Sequence, residues 1–175
     1  GCTYNVRTAG AGGPSPGNLG LLGCAGSGCS VLRDALAAYG VACQCGNISP
    51  GDSVPTQTGE CAGPVSQGLN VRFDDYSGGA PNYSTSIPPD TNIEQGEESG
   101  HGANTTWPGI SYAQYQAGSP FTPPAANHVG VPNRRILILP ITYVSEWPIG
   151  QSGNVPTHGF GAFFMRNQAI GTNGD

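Results

Sequence analysis

Residues 67–76 read QGLNVRFDDY, and the period assigned to them decides what kind of fold the chain has. Leu69, Val71 and Phe73 alternate with Asn70, Arg72 and Asp74. Side chains of a strand point to alternate faces, so this pattern predicts a half-buried strand with the three apolar groups inward. On such a strand Arg72 and Asp74 share the outer face about 6–7 Å apart, within reach of an ion pair. Asp75 then points to the opposite face. The two aspartates are therefore not the convergent carboxylates of a glycosidase. Asp75 is placed to cap the turn at Tyr76-Ser-Gly-Gly79. The expected role of Arg72 and Asp74 is a structural ion pair, and replacing Arg72 is expected to weaken folding rather than remove an activity.

The other strong strand signal is Arg135-Ile-Leu-Ile-Leu-Pro-Ile-Thr-Tyr-Val144. Four large aliphatics in a row predict burial on both faces, hence a central strand. Pro140 cannot donate to a ladder, so it predicts a bulge or a change of neighbour. His158-Gly-Phe-Gly-Ala-Phe-Phe-Met165 reads as a second core strand, antiparallel to the first. Ser30 offers an N-cap to VLRDALAAY, and Gly40 stands where a helix stop is wanted, so a helix is expected at 30–39. Ser111–Gly118 predicts one or two helical turns with Tyr112 and Tyr115 on one face. Residues 77–109 have little pattern, and a loop of that length is either functional or ordered by packing the sequence does not display. The expected fold is α+β: a small loop-rich mixed or antiparallel sheet with one or two short helices and a disulfide-braced N-terminal third. A single domain spans 1–175, with a cysteine-rich, loop-rich subregion at 1–64 and a sheet core with long loops at 65–175.

Composition narrows the class. Gly and Pro number 29 and 16, about a quarter of the 175 residues, which argues against a helical protein. Only 10% of residues are charged while 37% are hydrophobic, too apolar for a charge-expanded disordered chain. All six basic residues are arginine, against eleven acids, for a net charge of −5. No basic stripe exists, which excludes nucleic acid and anionic lipid as partners. No apolar run reaches the ~18 residues of a membrane span. The chain begins at Gly1 rather than Met, so any export signal or anchor is expected upstream, and membrane contact only through that segment.

Six cysteines, Cys2, Cys24, Cys29, Cys43, Cys45 and Cys61, fall in the first 61 residues. An even count in a glycine-rich, lysine-free segment suggests disulfides and an extracellular, periplasmic or envelope location. The spacings C-x4-C and C-x-C are not the paired knuckles of a zinc site. Fifteen pairings are possible. The expected set is Cys24–Cys29 as a local loop, with Cys43 and Cys45 tied to Cys61 and Cys2.

No catalytic motif stands out. His101, His128 and His158 are 27 and 30 residues apart, with no close-spaced ligand motif such as H-E-x-x-H. No G-x-S-x-G elbow is present. Asp90-Thr-Asn-Ile-Glu94 carries oxygen ligands at the first, third and fifth positions of a calcium loop, which makes Asp90, Asn92 and Glu94 the candidate metal residues. Glycine falls at the seventh position instead of the sixth and the twelfth is His101 rather than a glutamate, so the stretch is no EF-hand and otherwise reads as a solvated acidic loop. Tyr76, Tyr83, Trp107, Tyr112, Tyr115, Phe121 and Trp147 lie near Gly/Pro loops, where aromatics either anchor a partner or sugar or cover a small sheet.

Five segments together resemble a bacterial family: Pro16-Gly-Asn-Leu-Gly-Leu-Leu22, Gln67–Asp74, Gly102–Tyr115 with Trp107, Arg134-Arg-Ile-Leu-Ile-Leu-Pro-Ile141 and Gly159-Phe-Gly-Ala-Phe-Phe164. Their order resembles the extracytoplasmic region of TadG-like proteins of the Tad (Flp) pilus-assembly system. The resemblance implies an envelope protein that helps to build or anchor adhesive pili, with an N-terminal membrane helix. Larger members carry a von Willebrand A domain whose metal site needs D-x-S-x-S, a motif missing here, so no catalytic or metal residue carries over. The expected function is structural, in pilus or filament assembly or as part of a surface appendage, without catalysis or cofactor. The expected partners are proteins, by self-association or among pilus components. The alternative is a secreted carbohydrate- or protein-binding adhesin module using the 77–130 region.

Overall fold

The computed structural model describes residues 18–22, 28–38, 48–58, 61–95, 109–148 and 153–169. Strand β1 (Asn18–Leu22) is followed by helix α1 (Cys29–Ala38), β2 (Ser53–Thr58), α2 (Ala62–Asn70), a 3-10 turn at Val71–Phe73 and α3 (Tyr112–Ala117). Then come β3 (Ile136–Ile141), a 3-10 turn at Val144–Glu146, β4 (Asn154–Pro156) and β5 (Gly159–Phe164). The strands form two antiparallel sheets, one ordered β1-β2-β4 and one a β3-β5 ribbon. The fold is thus α+β, loop-rich, with short helices and a disulfide in its N-terminal part.

The decisive stretch is helical, which overturns the strand expected at 67–76. Leu69 and Phe73 are four apart, and that spacing serves a helix as well as a strand. The strand reading required Arg72 to face outward, whereas Arg72 is fully buried along with Val71 and Phe73. Two features select the helix. Pro64 stands in the first turn, where its missing N–H costs no intrahelical bond. Gly68 lies where α2 meets α1, and a Cβ there would come 2.3 Å from the Arg33 carbonyl oxygen. A glycine is needed for that approach, and α1 presents the small, buried Ala35 and Ala37. Asp74 ends the segment at φ 65°, a left-handed conformation that Asp tolerates better than most residues.

Cys29 bonds to Cys61, joining the start of α1 to the residue before α2. This corrects the expected pairing, in which Cys29 bonded to Cys24 and Cys61 to Cys43 or Cys45. Local spacing favoured the short loop, but the packing of α1 on α2 brings Cys29 and Cys61 together. Cys2, Cys24, Cys43 and Cys45 lie outside the described residues.

Helix α1 falls within a residue or so of expectation, and α3 forms with Ser111 as N-cap. Ser111 and Gln114 make a reciprocal capping box, and Gly118 closes the helix at φ 67°. The antiparallel pairing of β3 with β5 is also as expected. The burial on both faces expected of β3 is not found: Ile138 and Ile141 are nearly half exposed. Nor does Pro140 mark a bulge. The register runs unbroken from Ile136↔Phe164 to Ile141↔Gly159. The Met165 N–H donates to the Arg135 carbonyl, which places Pro140 and Phe160 at a non-hydrogen-bonded pair. The proline therefore interrupts nothing in this ladder.

Among the described residues two small apolar clusters are present. Ala37, Val71 and Ala80 pack with Tyr76 and Ile87 between the helices and the loop that follows them. Val54, Val155 and Trp147 pack with Ile48 behind the three-stranded sheet.

Candidate functional site

Four arginines hold loops in place by donating to backbone carbonyls. Arg72 donates to Leu36 O at 2.7 Å and to Gly68 O at 3.1 Å. Arg134 donates to Ala37 O at 2.6 Å and to Pro88 O at 2.9 Å. Leu36 and Ala37 belong to the last turn of α1, whose carbonyls have no helical partner. That turn holds no basic residue of its own, so tertiary structure brings in two cations where the helix dipole is negative.

Arg135 is the centre of a second assembly. Its guanidinium donates to the carbonyls of Asn92, Glu94, Met165 and Arg166 at 2.6–3.1 Å. Its carbon lies 4.6 Å from the Phe73 ring centroid, 4.8 Å from Phe164 and 5.5 Å from Tyr115. Burial lowers its pKa to about 10, against the pull of Asp90, Tyr115 and Glu94, so it keeps its charge at neutral pH. Burial likewise lowers Arg134. Arg166 reaches the carbonyls of Gly109 and Ile110. The planar five-donor fork of arginine suits divergent carbonyls in a way an ammonium does not, which gives the absence of lysine a physical sense.

The candidate calcium residues are part of this framework. Asp90 is fully buried, and its carboxyl accepts from the N–H groups of Asn92 and Arg135 and from the Tyr115 hydroxyl. Asn92 is buried too, accepting through Oδ1 from Glu94 and Thr122 and donating to Pro120 O. Glu94 accepts from the Thr122 hydroxyl. The oxygens are occupied in splicing residues 90–94 to the 118–122 loop. The solvated loop expected here is therefore replaced by a buried seam at Asp90 and Asn92. Among the described residues no cluster of three or more His, Cys, Asp or Glu could hold a metal ion.

The structure separates Arg72 and Asp74 in what they bind. Arg72 is turned to helix carbonyls, whereas Asp74 accepts from the Ala125 N–H at 2.7 Å and lies 2.6 Å from His128 Nδ1. The reason is the helical turn, which removes the shared strand face. Asp75 does cap its turn, accepting from Ser77 N–H at 3.0 Å.

The Asp74–His128 pair was hidden from sequence reasoning, since 54 residues separate the partners. Tyr83 stacks on the imidazole at 3.9 Å and Tyr76 meets it edge-on. A carboxylate only accepts, so the imidazole donates to it from Nδ1. A carboxylate and an imidazole are paired in the same way within catalytic triads, where a nucleophile completes the set. No serine, threonine or cysteine is hydrogen-bonded to His128 among the described residues, and the pair acts as a tie between the turn at 74 and the loop at 125–129. His158 is held apart from it, 2.8 Å from Glu146 Oε2 and against the Tyr143 ring. His101 lies outside the described residues.

The aromatics divide. Trp147 is core and donates through Nε1 to the Thr142 hydroxyl. Tyr76 donates to Ile87 O, and Tyr115 packs on Phe164. Phe121 and Tyr112 are exposed, joined by Tyr143, Phe160 and Val129, which the sequence did not single out. Trp107 lies outside the described residues. Compared with protein-family models, curated proteins and solved structures, the chain matches none.

The fold and these sites define a disulfide-containing α+β domain braced by arginine–carbonyl clamps. The disulfide suggests an oxidising environment, extracellular or periplasmic, and no helix among the described residues is long and apolar enough to cross a membrane.

Proposed function

We propose that this chain is a structural module outside the cytoplasm, working in the assembly or the fabric of a surface appendage such as a pilus. The observation that carries the reading is the use of the charged side chains. Arg72, Arg134 and Arg135 are buried on carbonyls, and Asp90 is enclosed with its donors. These four charged groups are thereby committed to holding loops, a use that suits a structural role. The Cys29–Cys61 bond supports an oxidising location, and the resemblance to TadG-like proteins of the Tad pilus system supports the appendage. The test is to shear surface structures from cells that make the full-length protein and locate it with its thiols blocked. Recovery with appendages or envelope, disulfide-bonded, is expected. A reduced cytoplasmic pool overturns the reading.

A second reading is an adhesin module, favoured by the exposure of Phe121 and Val129 on the uncharged 118–132 loop. A glycan and receptor array separates the two, because binding that is lost in Phe121→Ala supports the adhesin.

A further inference from the structure

We propose that the outer face of the β3–β5 ribbon is a homotypic contact, on which a second copy of this chain packs face to face. The inference rests on the structural reading above and adds the surface through which such a module associates.

Cross-strand partners share a face of a sheet. Ile138 pairs with Ala162, and Pro140 pairs with Phe160. Ile138 is 45% exposed, Phe160 is 39% exposed and Ala162 is exposed. The next pair on this face, Ile136 and Phe164, is where the aromatic cover begins: Phe164 packs against Tyr112 and Tyr115, with ring centroids 5.5 and 4.9 Å away. Among the described residues the patch therefore starts where the aromatic cover stops.

Its shape is self-complementary. The four side chains form a square with the large ones, Ile138 and Phe160, on one diagonal and the small ones, Ala162 and Pro140, on the other. A two-fold axis lying in the interface and across the strands carries each large group onto a small one. Phe160 then sits over Ala162 of the second copy, and Ile138 over its Pro140. Such an isologous contact closes on itself. Sheets packed about 10 Å apart interdigitate in this manner.

Charge selects the same partner. No formal charge falls within residues 136–143 or 159–165, in a chain of net charge −5. Two copies repel through most of an acidic surface, and this uncharged face lets them meet without opposing carboxylates. The patch is smaller than the roughly 800 Å² per partner of a stable complex, so one contact is weak and acts where chains are already held close.

Sedimentation equilibrium of the oxidised protein up to about 1 mM tests the proposal. Reversible dimerisation is expected. Ala162→Trp fills the recess and should weaken dimerisation at least tenfold, whereas a merely sticky surface would associate more. Ile138→Glu should abolish dimerisation, and Val129→Glu, 71% exposed on another loop, should leave it unchanged. Because Ile138→Glu could unfold the ribbon, Ala162→Trp, at an exposed site, carries the decision. A monomer throughout the range, or an Ala162→Trp variant that dimerises as well as wild type, overturns the inference. A chain recovered with appendages whose Ala162→Trp variant enters them normally overturns this inference alone; a reduced cytoplasmic chain overturns the reading beneath it.

Discussion

Arg134 donates to the carbonyl of Ala37 at 2.6 Å across 97 residues of sequence. The same guanidinium holds Pro88, so one side chain ties the end of α1 to the loop after α2. Arg134→Met is expected to cost about 2–4 kcal/mol, since two buried carbonyls lose charge-assisted donors. Arg134→Lys should recover less than half of that, because an ammonium does not reproduce the fork. Urea unfolding measures both. A lysine variant as stable as wild type would mean that the charge alone matters.

Gly68 gives a prediction against helix propensity. Gly→Ala in a helix interior ordinarily stabilises by up to about 1 kcal/mol. Here the new methyl would meet the Arg33 carbonyl at 2.3 Å. Gly68→Ala should therefore destabilise by about 1–3 kcal/mol, the range of overpacking. A stabilised variant would show that α1 and α2 do not cross closely at this point.

Tyr115 sets an alkaline limit. Burial, followed by the neighbouring charge of Asp90, pushes its pKa from 10.0 up to about 12. A phenol raised on folding binds its proton more tightly in the native state. Its contribution is complete below pH 10 and is lost as pH rises toward 12. Arg135, lowered to about 10 beside this ring, acts in the opposite sense over the same window, so the test is the difference: Tyr115→Phe should lower stability at neutral pH, and its deficit against wild type should shrink between pH 10 and 12. Phenolate absorbance followed during the titration assigns the transition.

The Cys29–Cys61 bond spans 32 residues. Loop-closure entropy for such a span amounts to about 3–4 kcal/mol. Replacing both cysteines with alanine should lower stability by that order in urea unfolding. Peptide mapping under oxidising conditions should recover the Cys29–Cys61 link, and a dominant Cys24–Cys29 link would contradict the packing of α1 on α2.

The limits of sequence reading show at particular residues. Helix α3 is visible because Ser111 and Gly118 are local signals, whereas Ser30, expected to cap α1, lies inside that helix and Gly40 lies outside the described residues. The β3–β5 pairing follows from two apolar runs joined by a glycine-containing connection. The 67–76 stretch misleads because apolar groups two apart include pairs four apart, which a helix also accepts. Pro64 and Gly68 were the available signals for the helix, one as a first-turn proline and the other as a close approach. For the candidate site, Asp90, Asn92 and Glu94 drew attention by composition, yet beyond the local turns between them their partners lie 25–45 residues away. The Asp74–His128 pair had no local signature at all.

By itself the sequence determined the class: an α+β, loop-rich chain with cysteines in its first third and scarce charge, since composition and local propensity act over a few residues. Only the tertiary structure decided where the charges went. A buried arginine is tolerable only where several carbonyls converge, and Leu36, Ala37, Pro88, Asn92 and Glu94 come together on Arg72, Arg134 and Arg135 through chain folding alone. The same folding chose Cys61 over Cys24 for Cys29 and left Ile138 and Phe160 on an outer face. Those outcomes depend on contacts between distant segments, which no local pattern encodes.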